Sequence, residues 1–330
     1  MAAIQQIDET IYRAAIPVPF PMKYVYCYLL QEQDSWTIVD TGLKTDEAIA
    51  AWEKIFSELN IRDQDVRSII LTHFHPDHFG MSGWLQKKTG APVYMSEIDI
   101  EMADRAWGTE SQQPNRVREM FLQHGTPGEL AEAIEHNMKR LASKVRPLPK
   151  LTPLPSSTVE MGRSQWEIIE VPGHTDGIVC FYEKRKQYAL ISDHVLDKIT
   201  PNISLWPGCA ENPLRNYMRS LERVQSLEVK TALTAHGELI MNLSERADQI
   251  ISHHEKRLSK IEEALRDGQS AYDIAVSLFH TRSLSTHQWR FAIAEVIAHL
   301  EYLAQEQRVE KEWNGQLFMY KKQKSALSAN

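Results

Sequence analysis

Cysteine is scarce in this chain. Cys27, Cys180 and Cys209 are the only three among 330 residues, far apart and with no CxxC pair. Such usage excludes a disulfide framework and leads us to expect a reduced, cytoplasmic setting. Long apolar runs are missing as well: none approaches the ~20 residues a membrane span needs. The opening segment, MAAIQQIDET, has neither the basic nor the apolar stretch of a signal peptide. No membrane partner is therefore expected. Positive charge is not in excess, with 37 Lys and Arg against 44 Asp and Glu and a net charge of −7. That balance makes a nucleic-acid-binding surface the weaker expectation. There is no G-x-S-x-G nucleophile elbow and no repeat of solenoid or propeller period. The composition that remains, 42% hydrophobic and 25% charged, is that of a globular chain with ample core for one large domain or two smaller ones.

The first part of the chain alternates strand and helix signals. Lys23–Gln31 and Trp36–Val39 are β-branched and aromatic runs, and Ala48, Ile49, Trp52, Ile55, Phe56 and Leu59 recur at helical spacing. Val66–Leu71 reads as a buried strand running straight into Thr72-His73-Phe74-His75-Pro76-Asp77-His78. Ser96–Val145 is charged, helical in pattern and rich in Met and Trp, and Pro147, Pro149, Pro153 and Pro155 then predict an extended connector. Strands resume at Trp166–Val171, Ile178–Tyr182, Tyr188–Ile191 and Thr231–Ala235. Beyond His236 the spacing predicts helices over Ser244–Leu265, Ser270–Leu278 and Thr286–Leu303. A hairpin follows, with a type I′ turn at Asn314-Gly315.

The segment from His73 to His78 packs four potential metal ligands, His73, His75, Asp77 and His78, at the end of an apolar strand. In extended backbone, residues two apart point to one side, so His73 and His75 can share an ion, while the turn at Pro76 aims Asp77 and His78 at a neighbouring one. Three more candidates lie at strand ends beside small or turn residues, where a scaffold presents chemistry: His174 in Pro172-Gly173-His174, Asp193 after Ile191-Ser192, and His236 in Ala235-His236-Gly237. Imidazole with carboxylate suits zinc, with manganese or iron as alternatives. Isolated histidines such as His124, His136, His280 and His299 carry no such pattern.

These residues resemble the metallo-β-lactamase superfamily from about Ile4 to Leu243. The resemblance implies an α+β fold, an αβ/βα sandwich with the metals at one edge. It assigns His73, His75 and His174 to a first ion and Asp77, His78 and His236 to a second, with Asp193 bridging. Asp40, in Val39-Asp40-Thr41-Gly42, matches an acidic position that orients ligands, although Asp before Thr-Gly is also common turn chemistry. The organisation resembles the β-lactamase-like-2 group: a catalytic domain over residues 1–243, with a helical insertion at 96–150, and a winged-helix-like domain over 244–330.

Two divalent cations can lower the pKa of a shared water towards neutrality, so the expected function is dinuclear metal-dependent hydrolysis of an ester, thioester, lactone or similar bond. The resemblance makes Asp193 the bridge, and Asp77 a ligand first and a group placed to take a proton second. The alternative is a phosphodiesterase or ribonuclease whose tail contacts nucleic acid. A DNA-binding regulator and a di-iron oxidoreductase are weaker readings, the first because the ligand set is intact and the second because the redox branch carries Glu where this chain has His75. Phe20, Met22 and Trp206, in apolar loops, are candidate substrate contacts. The expected partner is a small molecule, with a homodimer also open.

Overall fold

The computed structural model describes residues 4–266, 268–281 and 283–323. Seven strands form the first sheet in chain order: β1 (Ile4–Gln6), β2 (Ile11–Pro17), β3 (Tyr24–Glu32), β4 (Ser35–Val39), β5 (Val66–Ile70), β6 (Val93–Met95) and β7 (Leu151–Pro153). It is antiparallel from β1 to β4 and parallel from β4 to β7. The parallel crossovers carry helices α1 (Asp46–Glu58), α2 (Pro76–Phe79), α3 (Ser82–Thr89), α4 (Glu97–Trp107), α5 (Gln113–Gln123) and α6 (Gly128–Ala142). The second sheet comprises β8 (Thr158–Met161), β9 (Ser164–Glu170), β10 (Val179–Glu183), β11 (Tyr188–Ser192) and β12 (Thr231–Thr234), with α7 (Pro213–Gln225) between the last two. The chain then runs through α8 (Leu243–Ala264), α9 (Ala271–Phe279) and α10 (Thr286–Gln305) to the hairpin of β13 (Val309–Trp313) and β14 (Phe318–Lys322).

Strand alternation explains the layering. In β3, Val25, Cys27 and Leu29 face α1 and α3, while Tyr28 and Leu30 face the second sheet. In β10, Val179 and Phe181 meet them from the other side, and Cys180 and Tyr182 point outward to α7. Successive side chains leave a strand on opposite faces, and both faces here are buried. The strands therefore read as continuous apolar runs rather than polar–apolar alternations. The result is helix, sheet, sheet, helix, with a small C-terminal unit of helices and two strands. That unit is not a separate core: Ile293, Ile297 and Leu300 of α10 join the cluster that covers β9 to β12. Among the described residues no helix is long and apolar enough to cross a membrane.

Three local expectations need correction. The proline-rich connector contains β7, which pairs with β6; Pro153 sits on a sheet edge, where its missing N–H costs no ladder bond. The Asn314-Gly315 hairpin forms, but Trp313 pairs with Phe318 and leaves a four-residue loop. The Asn314 carboxamide accepts from the Gln316 and Leu317 amides at 3.0 and 2.8 Å, an Asx turn rather than type I′. β5 ends at Ile70, so His73 and His75 lie on a loop, and their convergence is a loop property rather than a strand one.

Candidate metal centre and its cavity

The loop after β5 begins at Thr72, whose amide donates to Asp40 Oδ1 at 2.9 Å. Asp40 follows β4 with φ of 60°, a left-handed conformation that Asp tolerates better than most residues. Its carboxylate accepts from Thr72 Oγ1 and, at 2.8 Å, from His78 Nδ1. One buried side chain thus ties two strand ends and a ligand ring together. The loop bearing His174 depends on a glycine: Gly173 has φ of 145°, and a Cβ there would stand 2.5 Å from the Tyr217 Cα on α7. Ser192, just before Asp193, also takes a positive φ of 48°. Backbone held in such regions turns side chains out of the sheet at its edge.

The seven predicted side chains gather at that edge. Ligand atoms of His73, His75 and His174 lie within 4.8 Å of one another; the same holds for His73, His78 and Asp193, and for Asp77, His78 and His236. Asp193 Oδ2 is 3.4 Å from His78 Nε2 and 3.5 Å from His174 Nε2, and its Oδ1 is 3.5 Å from His236 Nε2. It lies between the two triads. Asp77 Oδ2 is 3.4 Å from His236 Nε2.

The ring tautomers follow from what each far nitrogen meets. His236 Nδ1 faces the Tyr24 carbonyl at 2.8 Å and His174 Nδ1 the Asn202 carbonyl at 2.9 Å. A carbonyl only accepts, so both Nδ1 atoms carry the proton and both Nε2 lone pairs point inward. His78 is fixed likewise by the Asp40 carboxylate, and His73 by Thr72 Oγ1 at 3.0 Å, whose own hydrogen goes to Asp40 so that its oxygen accepts from the ring. The inward atoms His73 Nε2, His78 Nε2, His236 Nε2 and Asp193 Oδ1 are buried and have no hydrogen-bond partner. Orphaned buried polar atoms are costly, and these four, divided between overlapping triads, fit bound cations. His75 Nδ1 and His174 Nε2 are 2.8 Å apart, a ring–ring hydrogen bond that a shared ion would replace with two metal bonds.

Electrostatics agree. Burial holds His73 and His75 well below the usual histidine range, reinforced by neighbouring rings, so both stay neutral. Burial pushes the Asp77 carboxyl up, but His78 and His236 outweigh it and hold it at about 2. Burial opposes charge on His78, yet Asp193, Asp40 and Asp77 raise its pKa well above the ordinary value: the carboxylates call for a positive charge at this point, which a metal ion would supply in place of the proton, leaving Nε2 free to ligate.

Asp99, in the first turn of α4, carries no motif that would single it out in the sequence. Buried, it accepts from the Phe74 amide at 3.0 Å, the Gly177 amide at 2.9 Å and Thr175 Oγ1 at 2.9 Å. It therefore stitches the His73–His75 loop to the His174 loop. His194, beside Asp193, is buried against Tyr217 and takes no part in the cluster.

A cavity of about 350 Å³ opens onto His75, Asp77, His174, Asp193 and His236. Phe20, Met22 and Trp206 line it, as do Met102, Trp107 and Met138 of the helical insertion. Val18, Ile203 and Phe121, from the same segments, are instead buried core. Helix α10 adds His287, Gln288, Arg290 and Phe291. No pattern in the chain points to this wall, because its residues lie far along the sequence from the first ligands.

Residues 21–236 match the model of the metallo-β-lactamase superfamily, and residues 258–322 that of the metallo-β-lactamase-like C-terminal domain. A metallo-β-lactamase family protein from Thermus thermophilus is 33% identical with a TM-score of 0.86, covering 96% of this chain and 100% of that one. Probable metallo-hydrolase YqjP of Bacillus subtilis is 22% identical over 96% of this chain and 99% of its own. An atrochrysone carboxyl ACP thioesterase from Aspergillus fumigatus is 21% identical over 73% of this chain and 60% of its own.

Proposed function

The chain belongs to the metallo-β-lactamase superfamily, and from that premise we propose that it is a dinuclear metal-dependent hydrolase of hydrophobic esters or thioesters. His73, His75 and His174 would hold one divalent ion, Asp77, His78 and His236 the other, and Asp193 would bridge, with zinc the best match to the donor set. When bound, the ions supply a deprotonated water and stabilise charge on the substrate oxygen. Asp77, held at about 2, is ionised at every working pH and faces the cavity, so it can accept a proton as the tetrahedral species collapses. Asp40 and Asp99 keep the rings in place without touching substrate. The loops around Phe20 and Trp206 exclude water from the reacting bond.

The observation that carries the substrate class is the cavity wall. Met102, Trp107, Met138, Trp206 and Phe291 enclose space beside the ligand cluster, and apolar area there contributes about 25 cal/mol per Å² on burial. A phosphodiester backbone would need a track of cations, and among the described residues the Lys and Arg side chains of the wall are Arg105 and Arg290. The Aspergillus thioesterase relative supports acyl chemistry. The test pairs metal analysis with a panel of thioesters, lactones, β-lactams and phosphodiesters. Two zinc equivalents and highest kcat/KM on long-chain acyl thioesters are expected; preference for a phosphodiester, or loss of none of the activity on chelation, overturns the reading.

A further inference from the structure

Arg290 is 7% exposed and stands on α10 in the cavity wall. Its guanidinium lies 4.4 Å from the Phe291 ring centre and 5.8 Å from that of Trp206. Its Nε is buried without a partner, and among the described residues the group has no ion pair and no hydrogen bond. Other arginines of this region differ. Arg257 pairs with Glu295, Arg308 with Glu262 and Arg215 with Glu306. Arg13, which is buried as deeply, donates to the Gly237 carbonyl and to Thr234 Oγ1. A buried cation without an opposite charge is expensive, and proteins pair it or solvate it. Aromatic faces offset part of that cost but leave the fork without a protein partner: Nε–H is buried and unpaired, and the terminal N–H groups make no hydrogen bond to a described residue.

We propose that Arg290 is a specificity-determining anchor for an anionic group, a carboxylate or a phosphate, carried by the substrate at the end of the cavity away from the scissile bond. The idea rests on the hydrolase reading above and deepens it: the substrate is an amphipathic acid derivative, with an apolar body against Met102, Met138 and Trp206 and an anion against Arg290. Among the described residues the acidic side chains lining the cavity are Asp77 and Asp193, both of the metal cluster, and neither pairs with Arg290. A guanidinium fork matches both oxyanions by paired hydrogen bonds. His287 also lines the cavity, packed against Phe20 and Phe291; burial holds its ring mostly neutral, at about 4, with Arg290 pushing it the same way. It therefore does not compete as a second cation.

The test uses metal-loaded, full-length protein and matched non-hydrolysable thioethers. One pair differs only in a methyl or a carboxylate at the acyl terminus, the other only in a hydroxyl or a phosphate on the thiol side. These arms separate the two sources of negative charge. Charged hydrogen bonds of this kind correspond to about tenfold to hundredfold in affinity, so wild type should prefer one anionic partner by that factor in calorimetry. Arg290→Met should bring the ratio near one, and Arg290→Lys should keep part of it. Melting of the unliganded Arg290→Met protein should come at or above the wild-type temperature, because an unpaired buried charge is removed. No anionic preference in either arm, or a preference that survives Arg290→Met, overturns the proposal, as does a lower melting temperature with the ratio intact. If the thioethers discriminate while no thioester is hydrolysed, the anchor stands and the hydrolase reading falls.

Discussion

The two ends of the cavity hold their side chains by different means. At the metal end four of the five rings have a defined acceptor behind them: Thr72 for His73, Asp40 for His78, Asn202 for His174 and Tyr24 for His236. Elsewhere in the wall Met102 and Met138 stand on the helical insertion and Phe291 on α10, while Trp206 is packed between Phe121 and Phe291. Hydrogen bonds fix angle and tautomer, so the metal end is tuned for a single geometry. Flexible thioethers and aromatic faces accept many shapes, so the far end sets how well a substrate fits rather than how it reacts. Substitutions at the two ends should therefore separate into changes in kcat and changes in KM.

The largest effect is expected at the shared carboxylate. Asp193→Ala removes the oxygens lying between the two triads, and kcat/KM should fall by on the order of 10³-fold or more. Metal content should drop below that of the wild type. If the variant keeps two ions and near-normal kcat, the two ends do not differ in the way proposed.

Asp99 sharpens the comparison, since it lies behind the metal end and touches no ligand ring. Asp99→Asn replaces an acceptor with a mixed donor and acceptor, so one of the Phe74 and Gly177 amides loses its partner. Activity should fall by about tenfold to hundredfold, as for other groups that orient ligands. The carboxyl also links pH to stability. Burial raises its pKa from 3.8 to about 7. A carboxyl raised on folding contributes stability that is full below about 4 and lost as pH rises through about 7. The stability of wild type relative to Asp99→Asn should thus decline by a few kcal/mol across that window and stay flat above it. Urea unfolding at several pH values reads this out; a difference that grows with pH would mean that the three donors, not burial, dominate at Asp99.

At the apolar end, Trp206→Ala removes a large wall and should raise KM for long-chain acyl substrates about tenfold, with kcat nearly unchanged and short-chain substrates little affected. Steady-state kinetics over a chain-length series decides it. A fall in kcat alone would place Trp206 at the reacting bond.

How much of this was legible in the sequence divides along the same line. The metal end is local: four of its side chains lie within His73–His78, and the others sit beside Gly or Ser at strand ends, so a reader of residue types finds them. Asp40 was visible for the same reason. The β2 strand was missed because Arg13 interrupts its apolar pattern, although the guanidinium is buried against Tyr26 at 3.4 Å. Helix α7 went unread although Leu214, Tyr217, Leu221 and Val224 share one buried face. Asp99, His287 and Arg290 act only through tertiary contact. Their neighbours in sequence show no period or spacing to separate them from ordinary helix residues.

The smallest effect is expected where the two regions meet. Phe20, in the loop between β2 and β3, stacks on His287 of α10 with ring centres 5.4 Å apart and planes 6° from parallel. The loop thereby closes the cavity between the first sheet and the tail. Leucine at this position keeps most of the apolar area but loses the stacked face, which is worth about 0.5–1.5 kcal/mol beyond burial. Because Phe20 is not among the residues that gather as ligands, the cost should fall on how well the loop closes over bound substrate. Phe20→Leu should therefore raise KM by about twofold to tenfold while kcat and metal content hold. A lowered kcat at unchanged KM would put Phe20 with the metal end, and the boundary between the two regions would have to be redrawn through the β2–β3 loop.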